Sequence, residues 1–558
     1  MAGESGTDVS ETVNWDLICV GAGLTSLAFA AQVLHRRPGT RILAIDRHTA
    51  AGGYATLFTR PKLDAYFDCS LHKISGTRPE GGNFHRIFRE LDLGKDMELV
   101  QHPDHFEACL PGEAIALGNS PQEVERVLSL RFPAEAEAIA GFFREVDEHG
   151  RDSYYQYQIM DGSYDVDFRR LRFAHRELRG ITVAQAIERR FRDGLLKEIL
   201  AAPTIYVGGF AEDMSYLYFL HVVYATLYKG NGYVTGSAQR LSDVLAGRIV
   251  AAGGQVQLGT AVRRVIPGRD GAPHVVETNR GRFQSRDVYF NAAPHHAIGD
   301  LLPDAPELRP ARERLEALRP NHATTTLYVV TDRDPAELGF GSIETMLLDT
   351  AQDECIAARA AARESGHAES ACEQAYWHTS PMEVTNYHAV NPGGGRVLCL
   401  NVLDRIDHWP QRRDKAYKLK KARATEVMLA RLIAAKPALQ GHVVSAELAT
   451  PRTYVRYTNN TGGSGYGAVV GTGASAHGFH HFFPYPGIHF LSTWVAGSGY
   501  EAAFVFAEVK ARDWCEQRVA DCAGPAAASS RAATPVPESP PPTTALAAGT
   551  ATEELAWD

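Results

Sequence analysis

A chain of 558 residues is too long for one ordinary core, so two or three structural units that share a site are expected. Charged residues at 22% and hydrophobic residues at 44% are those of an ordinary globular protein, and a formal net charge of −9 argues against nucleic acid as a partner. The eight cysteines are scattered without a CxxC pair or a regular spacing that would suggest a zinc site or a disulfide framework, and a reducing, cytoplasmic setting fits best.

Residues 1–13 are polar and acidic, so they read as a disordered lead-in, neither a secretory signal nor a transit peptide. The apolar run Leu17-Ile18-Cys19-Val20 predicts a buried parallel strand. It is followed by Gly21-Ala22-Gly23-Leu24-Thr25-Ser26 and by an amphipathic helix from Leu24 to Leu34 whose N-terminal amides point at phosphates. Arg41 to Ile45 is a second strand, and Asp46 at its end can accept hydrogen bonds from a ribose diol. A Gly52-Gly53 doublet lies just behind. Strand, glycine turn, helix, strand and acid in this order within about thirty residues describe a dinucleotide cradle, although its third glycine position is held by Ser26.

Further along, Ser120-Pro121-Gln122-Glu123 reads as a helix N-cap, in a stretch expected to be helical and rich in charge. The aromatic run Tyr216 to Tyr228 is too short to span a bilayer; it reads as a buried helix lining an apolar cavity and leaves room for a peripheral membrane contact. Gly230-Asn231-Gly232 turns the chain into Tyr233, which reads equally as a turn into a strand or as facing substrate. Leu241 to Val250 is a helix stopped at Gly253-Gly254, followed by strands at 255–258, 262–266, 275–278 and 287–292. Thr324 to Val330 is a strand and Tyr417 to Ala434 a charged helix. The closing elements are a strand at 488–491, a turn at 497–499 and a helix at 501–514. The Ala-, Pro-, Ser- and Thr-rich end reads as a disordered tail.

The expected fold class is α/β: a split Rossmann-type nucleotide domain of 14–76, 234–320 and 464–522, with an inserted α+β substrate or cap domain of 77–233 and 321–463, and a tail of 523–558.

The opening fingerprint, the Gly52-Gly53 doublet and Tyr66-Phe67-Asp68-Cys69-Ser70-Leu71-His72 resemble the start of the phytoene desaturase, carotenoid isomerase and retinol saturase group of flavoproteins. Gly253-Gly254-Gln255-Val256 leading to Val262, Asn291-Ala292, Thr450-Pro451-Arg452-Thr453 and Gly463-Ser464-Gly465-Tyr466-Gly467 extend the similarity over about 14–514. The resemblance implies non-covalent FAD in an extended form, a GR2 or amine-oxidase-like architecture and a lipophilic, polyene-like substrate in an apolar tunnel. It assigns the pyrophosphate to Gly21, Gly23 and Ser26 with Leu24 and Thr25 beside them, and the ribose to Asp46 with Arg47. The adjoining turn falls to Gly52, Gly53 and Tyr54. Val262 would meet the adenine through its backbone, Asn291 and Ala292 complete the cradle, and Thr493, Gly497 and Gly499 close over phosphate and flavin ring. Trp494 departs from the family by its bulk beside the flavin. A homo-oligomer is compatible with all of this.

Flavin enzymes need few acid or base groups of their own. Candidates are His480 and His481 in Ala476-His477-Gly478-Phe479-His480-His481, with His72, Trp494 and Tyr233. A metal is not expected there, since no acid or cysteine is close. Gly471-Thr472-Gly473-Ala474-Ser475-Ala476 fits a loose second nucleotide pattern but lacks the following helix, and reads as a loop near the substrate mouth. Two rivals stay open: an amine or amino-acid oxidase using Arg452 or Arg456 for a carboxylate, and a non-catalytic prenyl-binding protein on the same scaffold.

Overall fold

Two four-residue apolar strands, Leu17–Val20 and Ile42–Ile45, are buried along their whole length and lie parallel, with Leu17 opposite Ile42. The helix between them, Leu24–Arg36, buries its face from Thr25 to Leu34, which is why the connection returns parallel. In this computed structural model the described residues are 13–69, 73–110, 112–160, 164–348, 376–472 and 483–523. The nucleotide sheet has five parallel strands in the order Gln255–Gln257, Ile42–Ile45, Leu17–Val20, Val288–Phe290, Ile488–Phe490. Three stretches far apart in the chain therefore share one sheet. The strand order reverses at Leu17–Val20, and open α/β sheets bind ligands beside the carboxyl ends of their strands at such a point. A four-stranded sheet lies alongside, in which Val13, at the edge of the expected lead-in, pairs with Phe283.

A second, seven-stranded sheet runs in the order Val443–Ala449, Ala323–Thr331, Val397–Asp404, Met382–Asn386, Glu344–Leu347, Asp104–Leu110, Glu113–Gly118. The last two strands correct the expectation of a helical first half of the insert. The two form a hairpin, and the pairing of Asp104–Leu110 with Glu344–Leu347 is non-local; the apolar side chains at Phe106, Ala108 and Leu110, spaced by two, were the available signal. On Ala323–Thr331 the side chains alternate. Leu327 and Val329 join Met428 and Leu432 of the helix Lys415–Ala435 in one core, while Thr324, Thr326 and Tyr328 face the other way.

Helices of the 121–228 region pack into one core with sheet residues such as Phe106, Ala108, Met346 and Leu403. Tyr216–Val223, continuing as a π-helical turn Tyr224–Tyr228, belongs to that core and does not reach the main cavity, contrary to expectation. The Ser120 hydroxyl accepts from the Glu123 amide, as a cap should. Up to Arg512 the chain forms one compact unit, and a second begins at Asp513, where the helix Tyr500–Ala523 continues. Among the described residues no helix is long and apolar enough to cross a membrane, and no cluster of His, Cys, Asp or Glu could hold a metal ion.

Candidate functional site

Beyond the carboxyl ends of the parallel strands lies a cavity of about 710 Å³, a size typical of cofactor and substrate sites. Its cradle end is backbone. A Cβ on Gly23 would come within 2.6 Å of Asn291 Nδ2, so a larger residue there would displace the Asn291 side chain that packs against the turn. Gly52 has φ +119°, and a Cβ there would lie 2.2 Å from the Ala55 carbonyl oxygen. The Gly52 amide donates to Ala22 O at 2.7 Å and its carbonyl accepts from Leu24 N at 3.2 Å, which joins the doublet to the turn. No side chain caps the Leu24–Arg36 helix; with Leu24 N given to Gly52 O and Leu27 N to Gly23 O, the Thr25 and Ser26 amides and the positive dipole end stay available to an anion.

Asp46 holds this turn from the neighbouring strand. Its Oδ2 accepts from the Ala22 amide and its Oδ1 from the His48 amide, both at 2.8 Å, and each oxygen keeps a lone pair for the cavity. Burial raises its pKa, and the amides of His48 and Ala22 pull it back down.

The far wall is built from side chains. Thr324, Thr326 and Tyr328 come from one face of a strand, Asn401 from the strand paired with it, and Thr453, Tyr454, Tyr457 and Thr458 from one face of the helix Pro451–Thr458. Asn401 Nδ2 donates to Glu383 at 2.9 Å, which turns its Oδ1 toward the Thr326 hydroxyl, 2.7 Å away. With that proton committed, Thr326 Oγ1 accepts from the Tyr454 hydroxyl at 2.7 Å, and Tyr454 keeps only acceptor lone pairs. Tyr54 stacks on Tyr454 with centroids 5.9 Å apart and donates to Gly463 O at 3.2 Å. Burial pushes the Tyr54 phenol up to about 12 and lifts Tyr328 and Tyr466 well above their ordinary value. These phenols are neutral at physiological pH: they shape and orient, and none serves as a base.

Residues 19–91 match the family of NAD(P)-binding Rossmann-like domains. Prolycopene isomerase, chloroplastic, of Daucus carota is 20% identical over 494 residues, 82% of this chain and 72% of that one. The first match covers the opening of the chain, and the similarity to the isomerase runs over most of its length. Among solved structures, an oxidoreductase from Methanosarcina mazei superposes with a TM-score of 0.60 at 14% identity, covering 89% of this chain and 99% of that chain. Cyclohexylamine oxidase from Brevibacterium oxydans gives 0.59 at 16%, covering 91% and 100%. A putrescine oxidase bound to putrescine gives 0.60 at 16%, with the same coverage. At these identities the likeness establishes the fold alone.

The cavity wall includes Gly21, Gly23, Leu24, Thr25, Asp46, Arg47, Gly52, Gly53, Tyr54, Val262, Asn291, Ala292, Thr493 and Gly499. Ser26, Gly497, Trp494 and Tyr233 do not lie on it. The buried Ser26 hydroxyl lies 2.6 Å from Gly21 O and 3.0 Å from Gly23 O and accepts from Asn291 Nδ2 at 3.2 Å, so it braces the turn from behind. Gly497, at φ +89°, ends the short helix Thr493–Ala496.

Trp494 is buried against His295, and its indole N–H donates to Asn460 Oδ1 at 2.8 Å; Asn460 in turn donates to the Tyr54 hydroxyl at 3.3 Å. The bulky ring therefore supports the wall from behind and does not line the cavity. Tyr233 is fully buried, and its hydroxyl donates to Asp68 Oδ2 at 2.7 Å. The same oxygen accepts from Tyr387 at 3.0 Å and from the Ala238 amide at 3.0 Å, so Tyr233 is structural, not substrate-facing. Arg452 donates to Trp409 O, and Arg456 lies off the wall with its guanidinium beside Tyr457. Neither is on hand for a substrate carboxylate in the cavity. Of the loop at 471–476 only Gly471 and Thr472 are described, and neither lies on the cavity wall. His72, His480 and His481 lie outside the described residues.

Sequence reasoning missed Thr326, Tyr328, Asn401, Glu447, Tyr454 and His296 on this wall. The alternation of Thr324, Thr326 and Tyr328 along one strand was a usable signal. Asn401 had none, because only pairing with a distant strand brings it there.

Proposed function

We propose that the chain binds FAD non-covalently in an extended form and acts on C–C or C=C bonds of an extended hydrophobic substrate, by desaturation, saturation or cis/trans isomerisation. The observation that carries this reading is the single cavity that runs from the glycine turn to the tyrosine-walled face of the seven-stranded sheet. Residues 14–76, 234–320 and 464–522 would hold the cofactor, and 77–233 with 321–463 the substrate. The residues present fit the group: no side chain caps the Leu24–Arg36 helix, whose Thr25 and Ser26 amides stay open to an anion, and Asp46 retains lone pairs where a ribose would need them.

First-turn amides of Leu24–Arg36 would take the pyrophosphate, Asp46 the ribose hydroxyls, and the Val262 backbone the adenine. When bound, the flavin supplies a two-electron hydride acceptor or donor. The chain's own part is to orient and to exclude water: Tyr54 and Tyr454 stack as one wall, and Thr326, locked by Asn401 and Glu383, fixes the Tyr454 oxygen. A lipophilic substrate would be met at a bilayer surface, so peripheral membrane contact belongs to the proposal.

The amine oxidases share this fold, and C–N oxidation is the second reading. Both acids on the wall are already engaged, Asp46 by two amides and Glu447 by Arg60, so an ammonium would find no free carboxylate among the described lining residues. The intact cradle speaks against a non-catalytic prenyl-binding protein. Anaerobic mixing of the purified yellow protein with cis and all-trans polyenes, and separately with alkylamines, tests the assignment through flavin absorbance. Bleaching or isomer change with polyenes supports it; a colourless protein, or bleaching by amines alone, overturns it.

A further inference from the structure

The outer end of the cavity differs from its interior in exposure and in charge. Tyr328 and Tyr466 are buried, whereas Tyr457 is 52% exposed and the side chains of Arg60 and Glu447 are 41% and 36% exposed, which makes the latter three a rim. Arg60 Nε donates to Glu447 at 2.8 Å, so that carboxylate is consumed. Arg413 and Lys421 face the same cavity from four residues either side of Tyr417, along one side of the Lys415–Ala435 helix and the residues just before it. The Arg413 guanidinium lies 5.8 Å from the Tyr417 ring. Among the described residues neither cation has an acidic partner, in a chain whose net charge is −9. Two uncompensated cations on a cavity wall whose acids are all engaged make a local positive potential at the entrance to an apolar space.

We propose that this rim reads an anionic headgroup: the substrate is amphipathic, its carboxylate or phosphate resting at Arg413 and Lys421 while its apolar body fills the tyrosine-walled interior. The inference rests on the reading of the cavity as a lipophilic substrate site and sharpens it, because the same rim repels an ammonium.

The test is calorimetric titration of the holoprotein with four dodecyl probes that differ only in the head: dodecanoate, dodecyl phosphate, dodecanol and dodecylammonium. The two anions are expected to bind several-fold more tightly than the alcohol, with the ammonium weakest and with the anions' advantage shrinking as salt is raised. An advantage of only one anion identifies which headgroup the rim takes. The double variant Arg413→Glu/Lys421→Glu should weaken anion binding roughly tenfold and leave dodecanol unchanged, since each exposed pair is modest and reversal adds repulsion. The double variant Lys415→Glu/Lys418→Glu, an equal charge change on the same helix away from the cavity, should leave the ranking intact. Equal affinity for alcohol and anions, preference for the ammonium, or loss of flavin from the double variant would each overturn the proposal, the last by giving these cations to the cofactor. Failure of all four probes to bind would bring down the lipophilic-substrate reading as well.

Discussion

The cradle end of the cavity is made of backbone: glycine positions without a Cβ, uncapped helix amides and one carboxylate that ties two amides together. The far wall is made of side chains from two paired strands and two helices, held by a relay of hydrogen bonds from Glu383 through Asn401 and Thr326 to Tyr454. A backbone cradle tolerates little change, because its fit is set by φ angles and close approach. A side-chain wall can be re-lettered one residue at a time. Such a division suits a scaffold that keeps one cofactor and changes its substrate.

Substitutions can break this contrast. The largest effect is expected away from both ends: Asp68→Ala would leave the Tyr233 and Tyr387 hydroxyls and the Ala238 amide without their buried acceptor, costing roughly 3–5 kcal/mol, seen as a lower denaturation midpoint. Next, Gly52→Ala forces a side chain to φ +119° and against the Ala55 carbonyl, a strain of about 1–3 kcal/mol, and flavin retained per chain should fall about tenfold or more. Tyr454→Phe should by contrast keep the flavin and change kcat/KM with substrate by roughly threefold to tenfold, about 0.6–1.4 kcal/mol. If Tyr454→Phe loses flavin as Gly52→Ala does, the two ends are not separable.

The smallest expected effect is a pH dependence. Burial raises the Glu501 carboxyl from 4.5 to about 7, against the hydrogen bonds from Ser75 and Tyr154. The folded chain thus holds a proton that the unfolded chain has released, so this group's stabilising contribution is present below pH 4.5 and is lost as the pH rises toward about 7. Glu501→Gln should flatten that decline in Tm by a few degrees; an unchanged slope would show that Glu501 does not titrate in this range.

How much of this was legible follows the same contrast. The Leu17–Val20 strand, the glycine turn, the helix and Asp46 are contiguous, and their periodicity and spacing are sufficient to place them. The carboxylate's bonds to Ala22 and His48, rather than only to a ligand, were not foreseeable, since spacing gives position and not partners. Ser26 looked like a phosphate contact because the motif counts positions; its hydroxyl turns inward because two carbonyls and Asn291 lie behind the turn. Trp494 and Tyr233 read as site residues for their size and polarity, yet each hydrogen bond they make is to a buried group far away in sequence, Asn460 and Asp68. The hairpin of Asp104–Leu110 and Glu113–Gly118 went unseen because its inner strand, Asp104–Leu110, joins the sheet through Glu344–Leu347, more than two hundred residues downstream.

Asp68 gathers Tyr233, Tyr387 and the start of the Ser237–Ala251 helix onto one oxygen, and Cys69, its neighbour, stands on the cavity wall. Three separate stretches of chain are thereby locked by a single atom. Transplanting a substrate half from a relative would sever this lock unless all three donors travel with their acceptor, so modular swapping of specificity in this scaffold has to be planned around that junction and not around the interval between glycine motifs.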